Sequence, residues 1–248
     1  MIHFEQVTRC YGEKCALDTL NLTVEKGEVF AFLGPNGAGK TTAIRMLVGL
    51  LRPTQGMIRV ADLDVTKFPR EVATRIGYVP EEVFLYGKLT GREYLQFIAQ
   101  VRMMTRRDAE NAISHQIETF DLEFLDELIE NYSHGMRQRV AFAAALLHDP
   151  ELLIVDEPMV GLDPRSVRLA KDLLRERATN GKTVFMSTHT LAIAEEIADR
   201  IGILNHGKLI FLGTQAELRS HFAMNASLEH YFLAMTNGNE DESSPTAR

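Results

Sequence analysis

The chain has 248 residues, of which 45% are hydrophobic and 25% are charged, and its formal net charge is −7. This length predicts one large or two small globular domains, with a core that needs no metal or disulfide for stability. The acidic balance argues against a general nucleic-acid binder, because neutralising phosphates requires clustered Lys and Arg. The basic group Arg102, Arg106 and Arg107 is small, and we interpret it as a solvated helix face.

Membrane and redox signals are weak along the whole chain. The first residues show no charged leader followed by an apolar stretch, so we expect no secretory signal. The longest apolar run, residues 140–147, has eight residues, far short of the ~20 that a membrane helix needs. We therefore expect that the chain does not cross a membrane by itself. Cys10 and Cys15 have no further Cys or His partner nearby, and we predict packed, reduced thiols rather than a zinc site or a disulfide.

The hydrophobic pattern predicts strands that alternate with helices, which is typical of a parallel sheet covered by helices on both faces. The predicted strands are residues 2–8, 20–24, 29–33, 57–60, 76–79, 152–155, 183–187 and 201–204. The predicted helices are residues 42–50, 109–120, 135–147, 164–178 and 191–198.

The segment from Thr90 to about Glu130 has a different character, because apolar residues recur there at helical spacing. We interpret it as a helical insertion. The prediction is one domain over residues 1–235, with a helical subdomain at about 86–150. Residues 236–248 have almost no apolar content and are predicted to form a disordered tail.

A glycine-rich loop follows the apolar strand 29–33 and matches the pattern G-x-x-x-x-G-K-[ST]. Its glycines let backbone N–H groups approach phosphates closely, and the helix N-terminus behind it adds the positive end of its dipole. Lys40 is expected to contact the β- and γ-phosphates, and the Thr41 hydroxyl to ligate Mg²⁺. The predicted nucleotide-binding residues here are Gly34, Pro35, Asn36, Gly37, Ala38, Gly39, Lys40, Thr41 and Thr42.

A second signal is the pair of acids that follows the apolar strand 152–155. Parallel sheets place their ligands at the carboxyl ends of their strands, where Asp156 and Glu157 would lie. Asp156 is the expected Mg²⁺ partner. Glu157 is expected to polarise the attacking water, and general-base help of this kind is typically worth ~10²–10⁴-fold in rate. Together the two signals predict a P-loop nucleoside triphosphatase.

The segment Tyr132-Ser133-His134-Gly135-Met136-Arg137-Gln138-Arg139 resembles the signature motif of the ATP-binding cassette (ABC) family. Further family elements occur in family order around it, and the resemblance covers roughly residues 1–212. These elements are Tyr11 before a Gly12…Ala16-Leu17 turn, Gly77-Tyr78-Val79-Pro80-Glu81, Gly161-Leu162-Asp163-Pro164, and Ser187-Thr188-His189.

The resemblance implies an α/β fold with a P-loop core, a parallel sheet, an antiparallel β subdomain and an inserted helical subdomain. It implies that Tyr11 stacks on adenine, and that Ser133 and the Gly135 amide reach the γ-phosphate of ATP held by the opposite subunit. His189 resembles the histidine that contacts the γ-phosphate and Glu157. Asp163 resembles the residue that connects the two sites of a dimer.

Two positions depart from the family pattern. Glu81 stands where most members have glutamine, so it can supply an oxygen to Mg²⁺ or water but has no amide donor. His134 replaces the first glycine of the signature, and we expect an altered loop geometry with activity retained. Similar variants are familiar in bacterial cassettes whose membrane subunits are separate exporter-type proteins.

The resemblance implies ATP hydrolysis that powers solute movement, with export favoured, through separately encoded membrane subunits. The expected cofactors are ATP and Mg²⁺, and the expected partners are a second cassette, identical or paralogous, and a permease. The expected location is the cytoplasmic face of the cell membrane. A soluble ATPase of the cluster-assembly type and a regulator that binds nucleotide without hydrolysis remain as alternatives. Residues 81–104 are predicted to carry the membrane-subunit docking surface, with Phe84, Leu85 and Tyr86 at its start.

Overall fold

The computed structural model describes residues 1–220, and the predicted disordered tail at 236–248 lies outside them. Its elements confirm the predicted α/β class. The strands are β1 (Ile2–Tyr11), β2 (Lys14–Val24), β3 (Val29–Leu33), β4 (Gln55–Val60), β5 (Leu63–Asp64), β6 (Ile76–Val79), β7 (Leu152–Asp156), β8 (Thr183–Thr188), β9 (Arg200–Asn205) and β10 (Lys208–Thr214). The α-helices are α1 (Lys40–Leu47), α2 (Pro69–Arg75), α3 (Gly91–Val101), α4 (Arg106–Phe120), α5 (His134–Leu146), α6 (Pro164–Thr179), α7 (Leu191–Ile197) and α8 (Gln215–Ser220).

A six-stranded sheet in the order β10-β9-β3-β8-β7-β6 forms the centre of the fold. All its neighbouring strands run parallel except β10, which is antiparallel to β9. Successive side chains of a strand point to opposite faces, so β3 is buried on both. Val29, Ala31 and Leu33 pack with the helices α3–α7, whereas Phe30 and Phe32 pack against the second sheet.

The second sheet is antiparallel, with the order β2-β1-β4-β5, and it shares a core with α1. Gly12 lies in a turn, as predicted, but strand β2 begins at Lys14, so the predicted extension of the turn to Ala16 and Leu17 is wrong. The real turn is shorter, because Tyr11 already pairs with Lys14 across the hairpin. Sequence reasoning also missed four elements: β5, α2, β10 and α8.

Three helices lie between β6 and β7, in the region predicted to be a helical insertion. Thr90 caps α3 with a capping box shared with Glu93, and Thr105 caps α4 through the backbone N–H of Asp108. Such caps satisfy N–H groups that the first turn of a helix leaves without partners. The division into one domain with a helical subdomain stays a prediction. Within residues 1–220, no helix has both the length and the apolar composition of a membrane span.

Candidate functional site

The predicted site residues lie at the carboxyl ends of adjacent parallel strands. Strand β8 lies between β3 and β7, with Leu33 opposite Thr188 and Asp156 opposite Ser187. The glycine-rich loop therefore leaves β3 beside the point where β7 delivers its two acids. His189 follows the last residue of β8. Open α/β sheets bind ligands at this edge.

The glycine-rich loop is held in close contact with its surroundings at both ends. A Cβ at Gly34 would lie 2.4 Å from the carbonyl oxygen of Leu204, and one at Gly39 would lie 2.3 Å from that of Ala16. Gly39 also has φ of 112° as the N-cap of α1, a conformation that only glycine adopts readily. These positions require glycine, and the loop ends directly on the first turn of α1.

Lys40, Glu157 and His189 form one cluster. The charged side chains of Lys40 and Glu157 are both buried. The Lys40 ammonium donates to the carbonyl oxygen of Gly34 at 2.7 Å and lies 3.6 Å from Oε1 of Glu157. The same Oε1 atom lies 3.0 Å from Nδ1 of His189. It nevertheless makes no hydrogen bond of good geometry. A buried carboxylate oxygen without a hydrogen bond is able to accept a proton, or to accept a hydrogen bond from a ligand.

Asp156 is buried beside this cluster and is fixed by the neighbouring strand. The Ser187 hydroxyl donates to Oδ1 of Asp156, and the backbone N–H of Glu157 is directed at the same hydroxyl and at the Ser187 carbonyl. Burial raises the pKa of Asp156 above its ordinary value, and the Ser187 hydrogen bond opposes that rise. Ser187 thus positions both acids, a role that its place in the Ser187-Thr188-His189 motif does not indicate.

One cavity of about 520 Å³ collects most of the predicted residues. Gly34, Ala38 and His189 are absent from its wall, and His189 meets the site through Glu157. His206 and Gly207, which sequence reasoning missed, line the cavity from the β9–β10 turn. The predicted residues in its wall are Tyr11, Pro35, Asn36, Gly37, Gly39, Lys40, Thr41, Thr42, Glu81, Asp156 and Glu157.

Tyr11 lies at the mouth of this cavity, at the tip of the β1–β2 hairpin. Its side chain is 52% exposed, and the guanidinium carbon of Arg9 lies 4.6 Å from the ring centroid. This is cation–π distance. Arg9 had no predicted role, although its spacing of two residues from Tyr11 places both side chains on one face of the strand.

The predicted state of the two cysteines is wrong. Cys10 and Cys15 are paired across the hairpin and joined by a disulfide. Cys15 is exposed and lines the cavity, so the pair is neither reduced nor fully packed. Sequence reasoning considered the spacing alone, whereas the two-residue turn at Gly12 and Glu13 brings the two side chains together.

Ser133 and Asp163, which are exposed, and Gly135, which is half-buried, form a separate region that is not part of the cavity wall. Ser133 caps α5 by accepting from the backbone N–H of Met136. Asp163 caps α6 by accepting from the N–H groups of Arg165 and Ser166. The N-termini of α5 and α6 lie next to each other, because a Cβ on Gly135 would lie 3.9 Å from Oδ2 of Asp163. The predicted signature residues are therefore not part of the wall of the 520 Å³ cavity in their own chain.

Comparison with known proteins gives a consistent result. The family model described as "ABC transporter" matches residues 17–160. The Nod factor export ATP-binding protein I of Rhizobium meliloti is 37% identical over 242 residues, covering 97% of this chain and 71% of the relative. The bacitracin transport ATP-binding protein BcrA of Bacillus licheniformis is 40% identical over 212 residues, covering 85% and 68% of the two chains.

Solved structures agree with these relatives. An ATP-binding subunit of an ABC transporter superposes with a TM-score of 0.88 at 30% identity, covering 95% of this chain and 99% of that chain. A dimeric ATP-binding cassette in a post-hydrolysis state, bound to ADP and Pi, superposes with a TM-score of 0.78 at 26% identity. That comparison covers 86% of this chain and 98% of the neighbour.

Proposed function

The chain belongs to the ABC transporter family as an ATP-binding subunit with ATPase activity, and from this premise we propose that it powers export through a separately encoded permease. The observation that carries the chemistry is the contact of Lys40 and His189 with one buried oxygen of Glu157. The names of the two relatives favour transport over a soluble, cluster-assembly role. Among export, import and soluble functions, export is the one that the Nod factor relative carries in its name.

ATP would lie in the cavity between the glycine-rich loop and the β1–β2 hairpin. The backbone N–H groups of the loop and the N-terminus of α1 would face the phosphates, and Lys40 would pair with the β- and γ-phosphates. Tyr11, already covered by Arg9 on one side, would stack on the base. Both ends of the nucleotide thus have a matching group in the wall of one cavity.

The donor set also fits Mg²⁺ bound together with the nucleotide. Thr41, Asp156 and Glu81 line the cavity, and within residues 1–220 no cluster of three His, Cys, Asp or Glu could hold a metal alone. Mg²⁺ is usually held by one or two protein oxygens plus substrate phosphates. When bound, it would neutralise charge on the phosphate oxygens.

Hydrolysis would depend on Glu157 as the group that orients and deprotonates the attacking water. Its Oε1 atom is buried without a hydrogen bond, so it has accepting capacity to spare. His189 would fix that carboxylate and contact the γ-phosphate. Lys40→Ala should abolish ATP binding and phosphate release together, whereas His189→Ala should retain binding and lose most of the turnover.

The active unit would be two cassettes arranged head to tail. Ser133 and the Gly135 amide lie at the outward-facing N-terminus of α5, where the helix dipole favours an anion. In this arrangement they would meet the γ-phosphate in the cavity of the second subunit. The dimeric cassettes among the structural neighbours support the arrangement.

A second cavity, about 750 Å³, suits docking of the permease. It lies between residues 80–85, α3 and α5, and its wall is mainly apolar. Phe84 is 84% exposed and Met103 is 89% exposed, which is unusual for large apolar side chains that line one groove. Leu85 also lines it, whereas Tyr86 packs on Tyr94 and Phe97 beside it. The permease would place this chain on the cytoplasmic face of the membrane.

Docking can be tested by sedimentation with membranes prepared from cells that express the permease. Wild-type protein should sediment with the membranes, and Phe84→Glu should remain in the supernatant while binding ATP normally. Leu50→Glu is the matched control, because Leu50 is 72% exposed but lies outside the groove. If Phe84→Glu sediments as well as the control, the permease uses another face. If wild-type protein never sediments, the soluble alternative is favoured.

A further inference from the structure

His134, which stands where the family has glycine, joins the N-terminus of α5 to the segment after Glu157. Its Nε2 atom lies 3.3 Å from the carbonyl oxygen of Val160. A carbonyl only accepts, so the imidazole must carry its proton on Nε2 to make this bond. The ring also packs on Gly161, where an added Cβ would lie 3.1 Å from Nε2.

Val160, whose carbonyl oxygen faces His134, is itself tied to Glu157 through its backbone N–H. The backbone N–H of Val160 donates to the carbonyl oxygen of Glu157 at 3.3 Å. Glu157 has φ of 47°, a left-handed conformation that costs a non-glycine residue free energy and persists only when surrounding contacts hold it. The backbone N–H of Glu157 is held by Ser187. The carbonyl oxygen of Glu157 is held by the turn that ends at Val160.

We propose that His134 is a positioning residue that couples the signature segment to the carboxylate of Glu157 within one subunit. The path runs from the N-terminus of α5 through the imidazole to the Val160 carbonyl, and through the turn to Glu157. The inference rests on the proposed head-to-tail dimer, in which that N-terminus contacts the nucleotide of the second subunit. ATP bound in one cavity would then help to set the geometry of Glu157 in the other.

The coupling makes a specific demand on the side chain at position 134. A donor at the place of Nε2 is required, and glutamine supplies one at nearly the same reach. An alanine there frees the Val160 carbonyl and leaves space over Gly161. The nucleotide cavity is unchanged, because His134 is not part of its wall.

The test is steady-state ATP hydrolysis by the full chain with His134→Ala, His134→Gln and, as a control, His115→Ala. His115 is another exposed histidine. It lies on α4, outside the signature segment and outside the segment after Glu157. We expect kcat to fall about tenfold in His134→Ala with KM for ATP changed less than twofold, which corresponds to the loss of one positioning contact in the transition state. His134→Gln should recover at least half of the wild-type kcat, and His115→Ala should match wild type.

Three results would overturn the proposal. These are an unchanged kcat in His134→Ala, a raised KM with kcat retained, which indicates direct nucleotide contact, and a failure of glutamine to restore turnover. A separate run of Glu157→Gln on size exclusion with Mg-ATP tests the dimer itself. If that variant dimerises while His134→Ala keeps full kcat, the coupling is wrong and the dimer stands. If it never dimerises, the dimer is wrong.

Discussion

Nδ1 of His189 lies 3.0 Å from Oε1 of Glu157, and the two residues come from neighbouring strands that meet only in the folded sheet. The same oxygen faces the Lys40 ammonium at 3.6 Å. Three elements of the P-loop core therefore converge on one carboxylate oxygen. In the proposed function, the acid that follows β7, the histidine that follows β8 and the lysine that begins α1 would act as one unit on the terminal phosphate.

Base selectivity should be loose if Tyr11 recognises the base by stacking. Stacking on an aromatic ring is worth ~1–3 kcal/mol and is open to every base. GTP should compete with ATP within about an order of magnitude, since 1.4 kcal/mol corresponds to tenfold. Tyr11→Phe should retain affinity for both nucleotides, and Tyr11→Ala should lose at least about fivefold for both. A hundredfold preference for ATP in the competition assay would reveal a contact to the base edge.

The disulfide between Cys10 and Cys15 should stabilise the hairpin measurably. Closing a loop of this length removes unfolded-state entropy equivalent to about 2 kcal/mol in the chain-entropy model. For a chain of this size that corresponds to a fall in Tm of roughly 4–8 °C on reduction. Thermal unfolding with and without a thiol reductant measures it. The Cys10→Ser, Cys15→Ser double variant is the control and should not respond to the reductant; an equal response in both proteins would contradict the bridge.

His148 should make stability depend on pH in the acidic range. Burial, reinforced by the charge of Arg102, lowers the pKa of His148 from 6.5 to about 4. Between these pH values the unfolded chain binds more protons than the folded chain. The contribution of His148 to the free energy of unfolding is therefore fully present above pH 6.5 and is lost as the pH falls from about 6.5 towards 4. Because the ring is partly exposed, we expect on the order of 1 kcal/mol after solvent screening.

The measurement for His148 is urea unfolding at pH 7 and pH 5. His148→Gln is the matched variant, because its amide can still donate to the carbonyl oxygen of Ile76, which lies 3.2 Å from the imidazole. The loss of stability at pH 5 should be smaller in the variant than in wild type. Identical losses in both proteins would show that His148 does not titrate on unfolding.

The sequence predicts the P-loop, the two strand-end acids and the long elements because each leaves a local signal. Strand β7 and the loop before α1 are defined by residues close together in the chain. The roles of Ser187 and His206 follow only from the register of strands and the course of turns, which no local pattern shows. Arg9 differs, because its spacing of two residues from Tyr11 is a local signal that places both side chains on one face of β1. Short elements such as β5 and α2 were missed because a few residues carry too little periodicity.

The disulfide is a second feature that the local sequence pattern does not predict. The spacing of Cys10 and Cys15 is uninformative, and the tight turn between Tyr11 and Lys14 decides the outcome. The predicted turn that starts at Gly12 extends too far, to Ala16 and Leu17, for the same reason. Turn geometry over four residues therefore decided both the cysteine state and the position of the hairpin tip.

Glu157→Gln is the most direct test of the account. The amide keeps the shape of the side chain and removes the proton acceptor, while Lys40, Thr41 and Asp156 are untouched. Phosphate release should fall by ~10²-fold or more, and ATP binding should persist. Each unhydrolysed ATP would then hold the two subunits together, so the variant should elute as a dimer with Mg-ATP and as a monomer without it.

Lys40→Ala is the control for that measurement and should remain monomeric under both conditions, because it loses the nucleotide. The single decisive reading is the phosphate-release rate of Glu157→Gln beside wild type under saturating Mg-ATP. A fall of two orders of magnitude with ATP still bound is the predicted result. Turnover at the wild-type rate would contradict the assignment of Glu157 as the base and, with it, the central claim about the site.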